Sequence, residues 1–185
     1  MHKNTFPICF FPVKEHDYTV WSDYEMLYVV KEINNETVER LFSIYSESMD
    51  DLKLNFADDN EMRASYTSFL KDFIGNPKQL VIVEKNGDQW VSALRAIETT
   101  SGCWFIEAVE TKPDERKKGY GKALIYNTID YLSKIGMKEI TCTIAQNNFK
   151  SQELHKKCGF LPTNEPPINP WGEFEKGTVL FRFTK

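Results

Sequence analysis

Apolar residues recur along the chain with two different periods, and the switches between them predict an alternation of strands and helices. Met26 to Val30 is β-branched and aromatic, as in a strand. From Asn35 or Thr37 onward, Val38, Leu41, Phe42 and Tyr45 fall at helical spacing, with Glu36, Glu39 and Arg40 on the far side. A second helix is predicted from about Asn60 to Ile74. It carries Met62, Tyr66, Phe69, Leu70 and Phe73 on one face, with Gly75 as its stop and Pro77 beyond. Leu80 to Val83 and Trp90 to Ile97 read as strands joined across Lys85 to Asp88, where Asn-Gly signals a hairpin. A third strand, Cys103 to Thr111, leads through a turn into a helix from about Lys122 to Lys134, ended by Gly136. Lys138 to Ile144 (strand), Ser151 to Lys157 (helix) and Thr178 to Phe183 (strand) complete the order. Hairpins first and a β-α-β crossover later imply a mixed sheet and an α+β fold.

The length of 185 residues fits one domain over residues 1–185. Residues 1–24, with many aromatics and with Pro7 and Pro12, read as an irregular N-terminal extension packed on it. No stretch approaches the about 20 apolar residues of a membrane span. Phe6 to Pro12 is broken by its prolines and followed by no small-residue cleavage site, which speaks against an export signal. The expected location is cytoplasmic, with no membrane partner. Net charge is −4 with both signs scattered, which argues against a nucleic-acid partner. Cys9, Cys103, Cys142 and Cys158, with His2, His16 and His155, show no metal-ligand spacing, so no metal is expected and the thiols read as reduced.

Against that background the basic cluster Arg116, Lys117, Lys118 stands out. A strand ends, Pro113 sets the exit, and a basic turn with Gly119 and Gly121 opens an amphipathic helix. The first turn of a helix leaves backbone N–H groups without intrahelical partners, and its dipole adds positive potential there. With glycines at the turn, those amides can close around phosphate oxygens. A mononucleotide loop needs Gly-x-x-x-x-Gly-Lys-Ser/Thr and a dinucleotide fold needs Gly-x-Gly-x-x-Gly; neither spacing is met, since position 124 is Leu.

What remains is Arg-x-x-Gly-x-Gly behind a strand with a Thr-x-Pro exit, and this resembles motif A of the GNAT superfamily of N-acetyltransferases. A second block is also similar to that family: Asn148, Ser151, Leu154, Lys157, Gly159 and Phe160 match its Asn-x-x-Ala/Ser-x-x-Leu-Tyr-x-Lys-x-Gly-Phe, except that His155 stands where many members have Tyr. The resemblance covers roughly residues 25–185. It implies a mostly antiparallel mixed sheet with helices on both faces and a splayed central strand pair. It also implies acetyl-CoA as co-substrate and an amine acceptor, either a small molecule or a peptide or protein amine; a homodimer is compatible with the sequence.

The resemblance implies roles as well. Arg116, Lys117, Lys118, Gly119, Tyr120, Gly121 and Lys122 would hold the diphosphate, and Val109, Glu110 and Thr111 the pantetheine arm through main-chain groups. Asn148 and Ser151 would bond coenzyme A or cap a helix. Glu107 shares a face with Val109 and Thr111 by strand alternation and is the first candidate for the general base. Glu110 is second, on the opposite side unless a bulge intervenes. His155 is either the acid for the leaving thiolate or a structural residue. Asp50, Asp51, Asp58, Asp59 and Glu61 would either steer a cationic amine or form a solvated loop. Pro166 to Gly172, with Trp171, would wall the acceptor pocket or pack on the edge. Three other readings stay open: an acyltransferase for a longer acyl group or an oxygen acceptor, a catalytically silent coenzyme A-binding sensor or assembly module, and a site for another nucleotide.

Overall fold

In the computed structural model, which describes residues 27–185, a seven-stranded sheet runs in the order β1-β2-β3-β4-β5-β7-β6. The predicted N-terminal extension and the first residue of the predicted first strand lie outside the described residues. The strands are β1 (Leu27–Val29), β2 (Gln79–Asn86), β3 (Gln89–Thr100), β4 (Cys103–Thr111), β5 (Glu139–Ala145), β6 (Leu161–Pro162) and β7 (Thr178–Thr184). The helices are α1 (Asn35–Ile44), α2 (Ser46–Leu52), α3 (Asp59–Gly75), α4 (Tyr120–Lys134) and α5 (Phe149–Lys157). All strand pairs are antiparallel except β4 with β5, the pair joined through α4. The fold is thus α+β with a mostly antiparallel mixed sheet.

Two apolar layers sandwich the sheet. On one face α1, α2 and α3 contribute Leu41, Ile44, Met49, Met62, Leu70 and Phe73 against Val81, Val83, Ala93 and Ile97. On the other, α4 sets Leu124, Ile125 and Leu132, and the cap of α5 sets Cys158, against Ile82, Leu94, Ile106 and Ile140. Alternate residues of β2 and β3 supply both layers, which is why those strands read as nearly continuous apolar runs.

The ends of the elements have local causes. Asn34 accepts from Thr37 N (2.9 Å) and caps α1, and Asp58 accepts from Asn60 N and Glu61 N and caps α3. The β2–β3 hairpin turns at Gly87 and Asp88, between the paired Asn86 and Gln89, one residue later than Asn-Gly suggests. Gly87 has φ +59°, the left-handed conformation that the first central position of such a turn requires. Gly75 is the last residue of α3 and not a left-handed stop; Asn76 follows in extended conformation.

Glu84 of β2 is fully buried. Asn127 Nδ2 of α4 donates to its Oε2 (3.1 Å), while Oε1 has no partner among the described residues. Burial pushes its carboxyl up to about 7, against the smaller opposing effect of the Asn127 bond. The folded chain therefore holds this proton more tightly than the unfolded one does. Stability falls as pH rises from the ordinary carboxylate range to about 7, then levels off. Glu84→Gln keeps the Asn127 bond and removes the charge. The variant is expected to be about 1–2 kcal/mol more stable than the parent at pH 8, less than the full linkage value because the new amide nitrogen replaces a buried oxygen that has no partner among the described residues. The difference should vanish toward pH 4.5; thermal unfolding at both pH values checks it.

Candidate active site

Strand β4 departs from β5 early. The two pair at Cys103 with Glu139, Trp104 with Ile140 and Phe105 with Thr141, whereas β4 stays paired with β3 as far as Thr111. Beyond Phe105 the edge of β4 that faces β5 opens. Lys112 N donates to Val91 O (2.9 Å), so by alternation Glu110 and Lys112 turn their main-chain groups toward β3. Val109 and Thr111 turn theirs into the opening. Arg116 Nε donates to Thr111 O (3.0 Å) from that side.

A bulge sits in the same strand. Arg95 pairs with Ala108 and Ala96 with Ile106, leaving Glu107 as the extra residue. Strict alternation puts Glu107 on one face with Val109 and Thr111, and the bulge overturns that expectation. Val109 packs in the α4 layer, and Thr111 Oγ1 meets Ser92 Oγ at 2.8 Å. Glu107 instead binds Arg95, whose guanidinium lies over the rings of Tyr45 (4.6 Å) and Phe69 (5.2 Å) in the α1–α3 layer. Glu110 joins Glu107 on that side, where Ser48 of α2 donates to its Oε1.

The two carboxylates differ in their surroundings. Both oxygens of Glu107 are taken by Arg95, through Nε and through Nη2 (3.1 Å). Glu110 Oε2 is buried without a partner among the described residues. Burial raises the Glu110 pKa, against the Ser48 bond and the charges of Arg116 and Arg95, which lower it.

The turn after β4 brings the predicted basic residues to the open end. Lys117 is left-handed (φ +65°), and Gly119 (φ +95°) caps α4 with no side-chain bond. The first bond of the helix is Ala123 N to Gly119 O (3.0 Å). The amides of Gly119, Tyr120, Gly121 and Lys122 therefore have no acceptor within the helix. A Cβ on Gly119 would meet nothing within 4 Å, but one on Gly121 would stand 3.1 Å from Thr111 Oγ1. Gly121 thus lets α4 start close against β4. Arg116 forms a two-bond pair with Glu47 of α2 (2.6 and 3.0 Å), and Lys118 pairs with Glu115 (3.0 Å). Lys117 and Lys122 are exposed.

In the second block, Asn148 Oδ1 accepts from Ser151 N (3.1 Å), the capping arrangement for α5. His155 is buried, 3% exposed, with its ring edge-on to Phe160. Its Nδ1 lies 2.8 Å from Ser151 O, so Nδ1 carries the proton and Nε2 a lone pair, and Nε2 has no partner among the described residues. Burial lowers its pKa, against the Ser151 bond, which raises it. The resting ring is neutral, so the proton on its free side that an acid requires is missing. Of its two readings, burial favours the structural one.

On the α1–α3 side a cavity of about 270 Å³ opens beside β4. Met49 and Leu52 of α2, Phe56, and Met62, Ser65, Tyr66 and Phe69 of α3 form its walls. Arg95 and Glu107 close its floor. Sequence reasoning missed Arg95 and all of α2. A lone arginine inside the apolar run Trp90 to Ile97 was the available signal for the first. The acidic residues between the helices are largely occupied: Asp58 caps α3, Asp59 pairs with Lys53 (2.9 Å), and Glu61 accepts from Ala57 N. Pro166, Ile168 and Asn169 border a second cavity of about 330 Å³, while Trp171 is 62% exposed. Among the described residues no cluster of three metal-ligating side chains occurs and no helix is long and apolar enough to cross a membrane.

The splayed β4–β5 pair thus has the N-terminus of α4 at its open end. The family model of the acetyltransferase (GNAT) family matches residues 38–160, and the chain belongs to that family. Among solved structures it is similar to the PaiA N-acetyltransferase of Thermoplasma acidophilum in complex with coenzyme A (TM-score 0.65, 15% identity, 86% of this chain and 99% of that one). It is also similar to the N-acetyltransferase PseH of Campylobacter jejuni in complex with acetyl coenzyme A (0.62, 13%, 86% and 99%). A third is a spermidine N-acetyltransferase chimera of SpeG from Vibrio cholerae and hSSAT (0.64, 15%, 86% and 96%). No curated protein matches the chain.

Proposed function

We propose that this protein transfers an acetyl group from acetyl-CoA to a primary amine, both substrates being held at once so that the amine attacks the thioester directly. The observation that supports this best is the bulged, half-free strand β4. It turns main-chain groups of Val109 and Thr111 toward the opening, Thr111 O meeting Arg116 Nε there, and sets Glu107 at the opposite cavity with Glu110 on the same side against Ser48. The amides of Gly119 to Lys122 and the ammonium groups of Lys117 and Lys122 suit a diphosphate. The solved relatives that carry coenzyme A or acetyl-CoA support that ligand.

In this reading Val109 N–H meets the thioester oxygen, a fixed dipole where negative charge grows. The attacking nitrogen must first lose a proton. Between Glu107 and Glu110, we assign the proton to Glu110, because both oxygens of Glu107 are bonded to Arg95 while Glu110 has an oxygen without a partner among the described residues and a raised pKa. Glu107 then fixes Arg95 and the floor of the acceptor cavity. His155 packs the far side of the site, and the thiolate departs without a proton from it. Asn148 and Ser151 shape the start of α5 beside the cradle.

The neutral, buried His155 also suits a coenzyme A sensor that does not turn over. Thermal unfolding with and without acetyl-CoA, followed by thiol release across a panel of amines, separates the two. Stabilisation with thiol release for at least one amine is the expected result. Stabilisation with no release from any amine would leave the sensor standing and overturn the transferase.

A further inference from the structure

The cavity beside β4 has a chemistry of its own, and it narrows the acceptor. Its walls are two methionines, a leucine and three aromatic rings, with Ser65 the one small polar side chain among them. Its floor is an ion pair whose carboxylate has both oxygens bound to one guanidinium. Resting on the amine-acetylation reading, we infer that this cavity seats an apolar group of the acceptor. The substrate is thus a primary amine on an aromatic or branched aliphatic skeleton that bears no second positive charge.

Three observations carry this. A second ammonium inside the cavity would meet at the floor only a carboxylate whose charge is already paired with Arg95. It would lie beside the buried Arg95 cation and lose its hydration against methionine and phenyl walls. Polyamines and lysine side chains fit poorly for that reason. The volume of about 270 Å³ exceeds the about 150 Å³ that suffices for a benzene ring in an apolar cavity. It admits a ring with a two-carbon tail, or two fused rings. Finally, Leu52 and Phe69 at the lip are 45% and 40% exposed, large apolar surfaces beside an apolar hollow that an apolar ligand would cover. The flexible Met49 and Met62 can adjust to different skeletons. Asp50 and Asp51, exposed between Met49 and Leu52, draw an ammonium toward the mouth. The amine then remains at β4, near Glu110, with its skeleton in the cavity.

The test uses the full chain saturated with acetyl-CoA and follows thiol release. Phenylethylamine, 3-methylbutylamine and a tripeptide beginning with Met are compared with spermidine, 1,4-diaminobutane and lysine. The free amines and the peptide share the proposed chemistry, and their relative rates decide which source the site prefers. The expected result is a kcat/KM at least about 30-fold higher for the apolar group than for the doubly charged one. Phe69→Ala and Leu52→Ala, both at the lip, are each expected to raise the KM for phenylethylamine about tenfold, with desulfo-CoA binding unchanged as the measure of folding. Equal or better turnover of spermidine or lysine overturns the inference and leaves the transferase standing, as does an unchanged KM in both lip variants. Release from none of the amines overturns the inference and the transferase together.

Discussion

Glu110→Gln is expected to lower kcat for acetyl transfer by about 10²–10⁴-fold, the range for loss of a positioned general base, with little change in coenzyme A affinity. The reason lies in the surroundings of the carboxylate. Ser48 donates to Oε1 and burial leaves Oε2 without a partner among the described residues, so the charged form is disfavoured and the pKa rises. A base with a raised pKa is active only once deprotonated. The rate of the parent should therefore climb with pH through a midpoint above the ordinary carboxylate range, and Glu110→Gln should remove that climb. Glu107→Gln should behave differently. It keeps acceptor capacity but weakens the pair with Arg95, whose side chain is 11% exposed. It should cost about 1–2 kcal/mol of stability, less than a fully buried pair because Glu107 keeps some contact with water, and leave the pH climb in place. Steady-state rates from pH 5 to 9 with thermal unfolding of both variants check this. A Glu110→Gln enzyme at the parent rate, beside a disabled Glu107→Gln enzyme, would exchange the two roles.

That exchange of order between the carboxylates shows where sequence reasoning reaches and where it stops. Period and punctuation were enough for β4, whose predicted span of Cys103 to Thr111 is the observed one, and for α3 and α4 within a residue or two. The turn into α4 was legible because its physics is local: a strand end, a basic turn, two glycines and a helix start. The bulge at Glu107 was not, because one unpaired residue leaves no mark on composition yet reverses every inference from alternation beyond it. Helix α2 was hidden for another reason. It is short and acidic, its N-cap Tyr45 makes no side-chain bond, and it buries only Met49. Tertiary contacts hold it instead: Glu47 with Arg116, Ser48 with Glu110, and Met49 in the α1–α3 layer. The cavity beside β4 draws on α2, α3, β3 and β4 together, so no window of sequence contains it. Glu84 offered a signal that was passed over, a carboxylate closing the apolar run Leu80 to Val83.

Gly121→Val should abolish useful coenzyme A binding, raising Kd more than about 100-fold, and the cause is the approach of α4 to β4 more than room for the ligand itself. A Cβ at this position would lie 3.1 Å from Thr111 Oγ1 and 3.6 Å from Leu154 Cδ2. Thr111 cannot simply turn aside, because its hydroxyl is tied to Ser92 Oγ at 2.8 Å. A branched side chain must then push the first turn of α4 off the strand. The unsatisfied amides of Gly119 to Lys122 move with it, so a cradle that acts by fixed dipoles loses its aim. Gly119→Ala is a useful contrast. Its Cβ would enter open space, but φ +95° is a conformation that L residues rarely adopt. It should cost about 1–2 kcal/mol of backbone strain, or roughly tenfold in Kd if the strain is relieved by deforming the cradle. The steric account makes a further demand that a general loss of stability would not. Gly121→Ala should weaken binding by itself, and adding Thr111→Ala, which removes the obstructing oxygen, should restore part of the loss. Calorimetric titration of desulfo-CoA into the three single variants, Thr111→Ala alone and the double variant measures each step. Parent-like affinity in Gly121→Val, or no recovery in the double variant, would mean that the start of α4 is not the seat of the diphosphate.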